Sequence, residues 1–250
     1  MAKTYLSKLV FTISIILVQM SASAQDFSIQ FLNYCNEKPV EYNKTIYTNS
    51  LGTQFQINQI QYFVSNFSIF IAGKEVQFPL NYYVDEAYNN TSITLSPLKL
   101  KVPKNATIDS VRFTFGFSKE GNQSYMYKNK PESLMFWPEV LGGGYHYMKT
   151  NIKYINKNNE LALFNCHLGR GQIKENNTTT FVDNNFTITL PCSISYNKKE
   201  MNIIPLRMDM EKWFYGPNVI DFNDYMGIMD KQNVMSKICE NGKKAFSISK

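Results

Sequence analysis

The chain contains two histidines, His146 and His167, and both lie in stretches with the residue pattern of β-strands. Imidazole nitrogen is a borderline ligand and thioether sulfur is a soft one, so a site that combines them suits Cu(I). Met148 follows His146 by two residues, the spacing that places two side chains on one face of a strand. These residue types and their spacing predict a weak copper site, provided that one face of a sheet carries all three.

A hairpin must position these side chains. Residues 145–155 and 161–168 each have the pattern of a β-strand, and the turn-forming residues 156–159 lie between them. An even-numbered turn pairs Ile155 with Glu160. That register places Met148 opposite His167, with His146 on the next diagonal. A slip of one residue would separate the set, because it moves every side chain to the other face. The alternative is that both histidines are partly exposed strand residues without a ligand.

A tryptophan and three glycines precede His146. Trp137 is followed by a proline, and Gly142–Gly144 release the chain into an alternating run of aromatic and polar residues. Because glycine has no Cβ, the backbone can turn tightly there or approach another chain closely. We expect this turn to bring Trp137 back over the strand that carries His146. The simpler interpretation is a loop whose aromatic residues fill a core.

Few residues suggest catalysis or nucleic-acid binding. Asp85 and Glu86 are adjacent, so on a strand they face opposite sides and cannot easily act as an acid and base pair. The sequence has no phosphate-binding loop, no dinucleotide-binding glycine motif and no nucleophile elbow. The net charge is +6, but the lysines are scattered rather than clustered. We expect neither an enzyme nor a nucleic-acid-binding protein.

The first 24 residues predict a secretory signal peptide. Lys3 and Lys8 precede an apolar run from Leu9 to Val18, and small residues at 22–24 mark a cleavage site before Gln25. The apolar run is too short for a membrane span of about 20 residues, and no later stretch is suitable. We expect one domain over residues 25–250, without a transmembrane segment, exported to the periplasm, the cell surface or the medium.

All four cysteines lie after this leader. They are Cys35, Cys166, Cys192 and Cys239. An even number of cysteines in an oxidising compartment predicts two disulfides, with three pairings open. A thiolate metal site would need close C-x-x-C spacing, which is absent.

The fold class follows from many short alternating stretches separated by turn residues. Phe27, Ile29 and Phe31, for example, alternate with polar neighbours. This succession predicts an all-β fold, an antiparallel β-sandwich from about Gln25 to Ile204. Short helical elements are expected near the C-terminus, at residues 210–214 and 229–242.

Several motifs, taken in their order along the chain, resemble the MbnP-like copper-binding proteins. They are Tyr62–Asn66, Val84–Ala87, Met135–Trp137 with Gly144, Tyr145 and Lys149, His167–Gly169, Lys212–Phe214 with Gly216 and Pro217, Ile228–Met229, and residues 241–247. The resemblance spans about residues 55–248 and implies an exported β-rich protein. It also implies copper bound by histidine together with a tryptophan, which a partner haem enzyme oxidises to kynurenine in some members. Trp137 and His167 match the family positions.

Three parts of the sequence depart from the family pattern. Tyr82 stands where a histidine is frequent, Glu139 replaces a frequent second tryptophan, and residues 247–250 lack the histidines that often end the chain in relatives. The resemblance thus implies a copper-handling protein with a partly degenerate ligand set. The alternative is a metal-free β-sandwich module that binds a protein or glycan partner through exposed tyrosines.

Overall fold

The structure is a computed structural model that describes residues 26–97, 100–118 and 120–249. The predicted signal peptide, residues 1–24, lies outside this part of the chain. The strands are β1 (Phe27–Cys35), β2 (Lys38–Pro39), β3 (Tyr47–Thr48), β4 (Gln54–Ile71), β5 (Lys74–Asp85), β6 (Ser92–Leu95), β7 (Thr107–Phe115), β8 (Met148–Ile155), β9 (Leu161–Leu168), β10 (Gly171–Glu175), β11 (Thr178–Val182), β12 (Phe186–Ser195), β13 (Asn202–Asp209) and β14 (Phe246–Ile248). The helices are α1 (Met210–Phe214) and α2 (Gln232–Gly242), with 3₁₀ turns at Glu86–Tyr88, Glu132–Met135, Glu139–Leu141 and Phe222–Asp224.

Two large sheets form the predicted β-sandwich. The seven-stranded sheet has the order β12-β7-β4-β8-β9, and β3 and β5 also pair with β4. The five-stranded sheet has the order β14-β13-β1-β2, with β6 also paired to β1. All pairs are antiparallel except β1 with β13, which run parallel. The prediction of an all-β sandwich with short helices near the C-terminus is confirmed, with that one parallel pair as a difference.

Aromatic residues fill the space between the two sheets. In β1 every second residue is buried, so Phe27, Ile29 and Phe31 face inward as their alternation predicted. The Phe31 ring centroid lies 6.2 Å from that of Tyr62 on the opposite sheet. Trp213 of α1 packs 4.8 Å from Phe115, which places the first helix over one end of the same core. We call this side of the seven-stranded sheet its inner face.

The opposite side, the outer face, is also covered near the middle of β4. Six consecutive residues, 60–65, are buried, so the alternation of a half-exposed strand is lost there. Phe63 on the outer face contacts Phe117, Tyr127 and Tyr145, with ring centroids 4.5, 5.4 and 6.4 Å away. The long connection between β7 and β8 therefore buries part of the outer face, which is where both histidines lie.

None of the cysteines forms a disulfide in the part of the chain that the structure describes. The strands explain why Cys35 and Cys192 cannot pair. Phe27, at the start of β1, contacts Tyr196 close to Cys192, whereas Cys35 lies eight residues further along β1, roughly 26 Å away at the usual strand rise. The even number of cysteines predicted two disulfides, but that number carries no information on the distances between them. The structure does not support the two disulfides.

No helix in the described ranges is both long enough and apolar enough to span a membrane.

Candidate metal site

A short loop brings Trp137 and His146 together. The backbone N–H of Trp137 donates to the Gly144 carbonyl at 2.8 Å, and the N–H of His146 donates to the Met135 carbonyl at 2.7 Å. The loop closes through Gly142, Gly143 and Gly144, whose φ angles of 109°, 67° and 88° all favour glycine. The three glycines therefore serve the turn that the sequence predicted.

Trp137 is fully buried beside His146. Its indole N–H donates to the Leu141 carbonyl at 3.0 Å, and its ring meets the His146 imidazole edge to face, with centroids 4.7 Å apart. The indole also lies against the backbone of Gly169, where an added Cβ would come within 2.6 Å of the ring. Trp137 is thus held by the turn on one side and by the residue after β9 on the other.

The register of the β8–β9 hairpin differs from the prediction by one residue. Ile155 pairs with Leu161, and Met148 pairs with Leu168 rather than with His167. The turn therefore has five residues, 156–160, and Asn159 within it adopts a left-handed conformation, with φ 61°. Met148 consequently faces the inner core, where it is fully buried. The prediction that Met148 shares a face with His167 is wrong.

The two histidines nevertheless meet. Their ring centroids are 5.2 Å apart, with the ring planes at 78°. Strict alternation would place His146 on the same face as Met148, but β8 begins only at Met148. Ahead of it, the N–H of Tyr147 bonds to Leu168 while that of His146 bonds to Met135. This break in the strand pattern turns His146 to the outer face, beside His167.

Hydrogen bonds fix one nitrogen of each imidazole and leave the other free. His146 Nδ1 lies 2.9 Å from the Met135 carbonyl oxygen. Since that oxygen only accepts, Nδ1 carries the hydrogen and Nε2 keeps its lone pair. His146 Nε2 is buried and has no hydrogen-bond partner. His167 Nε2 likewise donates to Asn151 Oδ1 at 2.8 Å, which leaves Nδ1 with the lone pair. Asn151 is itself oriented by Gln59, at 2.8 Å.

Burial keeps both imidazoles neutral. Burial is the main cause that lowers the pKa of His146 from 6.5 to about 3; the hydrogen bond that the ring donates to the Met135 carbonyl opposes this shift, and the charge of Lys149 adds to it. For His167, burial is the larger cause and the charge of Lys149 the smaller one, and together they lower the pKa to about 4. A neutral imidazole is the form that ligates metals, and both rings hold it at neutral pH.

A cavity of about 290 Å³ opens beside His167, and Met229 and Asp230 line it with Asn165 and residues 227–228. The N–H of Asn165 donates to the Met226 carbonyl at 2.9 Å, which fixes this segment along the edge of β9. Met229, unlike Met148, therefore lines a cavity together with His167. The sequence gave no spacing signal for it, because Met229 is 62 residues beyond His167.

Two further residues bear on the site. Lys149 is half-buried next to His167, and no described residue forms a hydrogen bond or ion pair with its ammonium group. Tyr82 lies on the inner face, where it stacks on Phe31 with centroids 5.5 Å apart. The family histidine that Tyr82 replaces would thus lie on the side of the sheet opposite His146.

The donor set suits copper better than a hard metal or zinc. Within residues 26–97, 100–118 and 120–249, no group of three or more His, Cys, Asp or Glu side chains is placed to hold a metal ion. Structural zinc takes four such ligands, so this arrangement does not fit it. Two neutral imidazoles, with a methionine in the wall of the cavity beside His167, fit a soft monovalent ion.

The comparisons with known proteins agree with the fold. A family model described as MbnP matches residues 24–236. The solved structure of MbnP from Methylosinus trichosporium superposes with a TM-score of 0.55 at 13% identity, and the alignment covers 80% of this chain and 79% of that one. At this identity the likeness shows the fold alone. No curated protein matches the sequence.

Proposed function

The chain belongs to the MbnP family, and from this premise we propose that it is an exported copper-binding protein that holds Cu(I) through His146 and His167. The observation that carries the proposal is the buried lone pair of His146 Nε2, which has no partner and lies beside a second neutral imidazole. A buried polar atom without a partner is costly, and a bound ion is one of the standard reasons for it.

Within this proposal the ligands are His146 Nε2 and His167 Nδ1, with the Met229 thioether as a third donor from the cavity wall. Asn151 and the Met135 carbonyl hold the opposite ring nitrogens, which is how proteins commonly orient ligating histidines. Bound copper would be a cargo or a stored ion in this proposal. We propose a binding protein rather than an enzyme.

Trp137 is part of the same proposal. Its indole lies in contact distance of His146, and the family resemblance points to a tryptophan that a partner haem enzyme modifies in some members. We propose Trp137 as that residue. Mass spectrometry of the peptide that contains Trp137, from protein isolated from its native cells, checks this part, and an unmodified tryptophan would contradict it.

Cu(I) titration of the mature chain under anaerobic, reducing conditions tests the copper proposal. Competition with a chromogenic Cu(I) chelator gives the affinity. We expect one Cu(I) per chain, and we expect His146→Leu to weaken binding by at least about a hundredfold, since loss of a ligand costs more than loss of an orienting partner. Equal affinity for wild type and His146→Leu would end the proposal.

The methionines provide a matched pair of variants. Met229→Leu removes the thioether that lines the cavity beside His167, so we expect it to lower Cu(I) affinity. Met148→Leu removes a thioether of the inner core, and we expect no change in affinity. The pair separates the loss of a ligand from a general effect of methionine substitution on the fold.

A metal-free binding module is the second candidate, and one cleft favours it. This cleft of about 530 Å³ lies beside β4 and the end of β5, and Tyr42, Asn43, Asn58, Gln59, Asp85 and Glu86 contribute to its wall. Its volume is in the range of small-molecule sites, and amides and carboxylates suit the hydroxyls of a glycan. Copper content after mild purification separates the candidates, because a metal-free module retains none.

A further inference from the structure

Four strands of the seven-stranded sheet align a row of polar side chains across the outer face. Asp85 pairs with Gln61, Gln61 with Lys149, and Lys149 with His167. Directly paired residues on neighbouring strands have Cβ atoms about 4.5–5.5 Å apart on the same face. Lys149 is therefore the cross-strand neighbour of His167, and its charge also acts on His146.

The charge of Lys149 is not neutralised by a described carboxylate. The nearest acid in the row, Asp85, lies on the far side of Gln61, where it accepts hydrogen bonds from Gln61 and from the Tyr83 hydroxyl, both at 2.6 Å. Asp230 lines the cavity beside His167, but its carboxylate pairs with Lys231 at 3.3 Å. Buried His146 and partly buried His167 thus both lie near one positive charge that no described carboxylate pairs.

We propose that Lys149 makes this site selective for Cu(I) over Cu(II), an inference that rests on the proposed copper function. A fixed positive charge repels Cu(II) twice as strongly as Cu(I), and the predicted ligands, two neutral imidazoles and a thioether, offer no negative charge in compensation. A like charge within about 4–6 Å commonly changes a binding equilibrium by about tenfold or more. Lys149 is a specificity-determining residue in this proposal and not a ligand.

Three substitutions isolate the charge. Lys149→Met removes it and keeps most of the side-chain volume, whereas Lys149→Arg keeps it. Lys153→Met removes a lysine from the same face of β8, four residues nearer to the hairpin turn, and serves as the matched control. Cu(I) and Cu(II) affinities are measured separately, by competition with a chelator for each ion, and thermal unfolding verifies that each variant folds.

We expect Lys149→Met to raise the ratio of Cu(II) to Cu(I) affinity about tenfold. For a one-electron couple this lowers the reduction potential by about 59 mV. Lys149→Arg and Lys153→Met should keep the wild-type ratio. If wild type binds Cu(I) and Lys149→Met has an unchanged ratio, the role of Lys149 is refuted while the copper site stands. If wild type binds no Cu(I), both proposals fall.

Discussion

The two faces of the seven-stranded sheet are both covered near the middle of β4, yet they are built from different chemistry. The inner face carries stacked aromatic rings, with Tyr62 and Phe115 packed against the helices and the second sheet. The outer face carries amides, a lysine and two histidines beneath the loop that precedes β8. The inner face holds the sandwich together, and the outer face supplies the groups that can bind a ligand.

The unpartnered polar atoms sharpen this contrast. On the inner face they include Trp213 Nε1 and the Tyr62 hydroxyl, both at the tips of buried aromatic side chains. An indole N–H only donates, so it offers no lone pair to a metal. On the outer face the unpartnered atoms include His146 Nε2, which holds a free lone pair. Burial without a partner is therefore informative only when the chemistry of the atom is considered.

The largest expected effect is on the inner face. Phe115 is fully buried and touches Phe186, Trp213 and Phe246. We expect Phe115→Ala to lower the free energy of unfolding by about 3–5 kcal/mol, as large-to-small changes in aromatic cores do. Urea unfolding measures it. Copper affinity of the folded variant should remain near the wild-type value, and a large loss of affinity would mean that the two faces are not independent.

The next effect is a pH dependence that comes from the outer face. The folded pKa values of His146 and His167, about 3 and about 4, lie below the unfolded value near 6.5. Their contribution to stability is thus complete above pH 6.5 and is lost as the pH falls toward 4. For His146 the loss between pH 7 and pH 5 is about 2 kcal/mol, and less for the more exposed His167.

Urea unfolding of the metal-free protein at both pH values measures this loss. The free energy of unfolding of His146→Leu should depend less on pH than that of the wild type, because leucine binds no proton. The difference should equal the contribution of His146. It should also lose little stability at pH 7, since the Met135 carbonyl keeps the backbone N–H of residue 146 as a donor. An identical pH dependence for wild type and His146→Leu would show that the imidazole is not held neutral in the folded state.

A smaller effect is expected from the residue that orients His167. Asn151→Leu removes the acceptor of the His167 Nε2–H and the contact with Gln59. Loss of such an orienting partner typically costs 10–100-fold in metal affinity, and Cu(I) competition measures it. Lys153→Met, on the same strand face, is the control. An Asn151→Leu protein with unchanged affinity would show that the imidazole needs no support on this side.

The smallest effect is expected at Tyr82. Tyr82→His restores the residue that is frequent in the family, but on the inner face beside Phe31. We expect no gain in Cu(I) affinity, because the new imidazole lies across the sheet from His146. A clear gain in the same titration would place the ligands on the inner face and overturn the location of the site.

The sequence predicted the strands well where one face is apolar. Alternation in β1 and the polar cluster at 156–159 gave a first strand and a hairpin that the structure contains. It failed at the register of that hairpin, because the turn also includes Glu160 and a shift of one residue exchanges the faces. The grouping of His146 with Met148 failed for a related reason, since alternation holds only inside a regular strand.

What the sequence determined by itself is local: the alternating strands, the glycine turn after Trp137, and the family pattern in which Trp137 and His167 occur. Tertiary structure decided which side chains meet. It placed His146 beside His167 through a loop hydrogen bond to Met135. It also brought Met229, 62 residues further along the chain, to the cavity beside His167, and it placed no described carboxylate against Lys149. Such contacts depend on register and on distant segments, and local residue patterns encode neither.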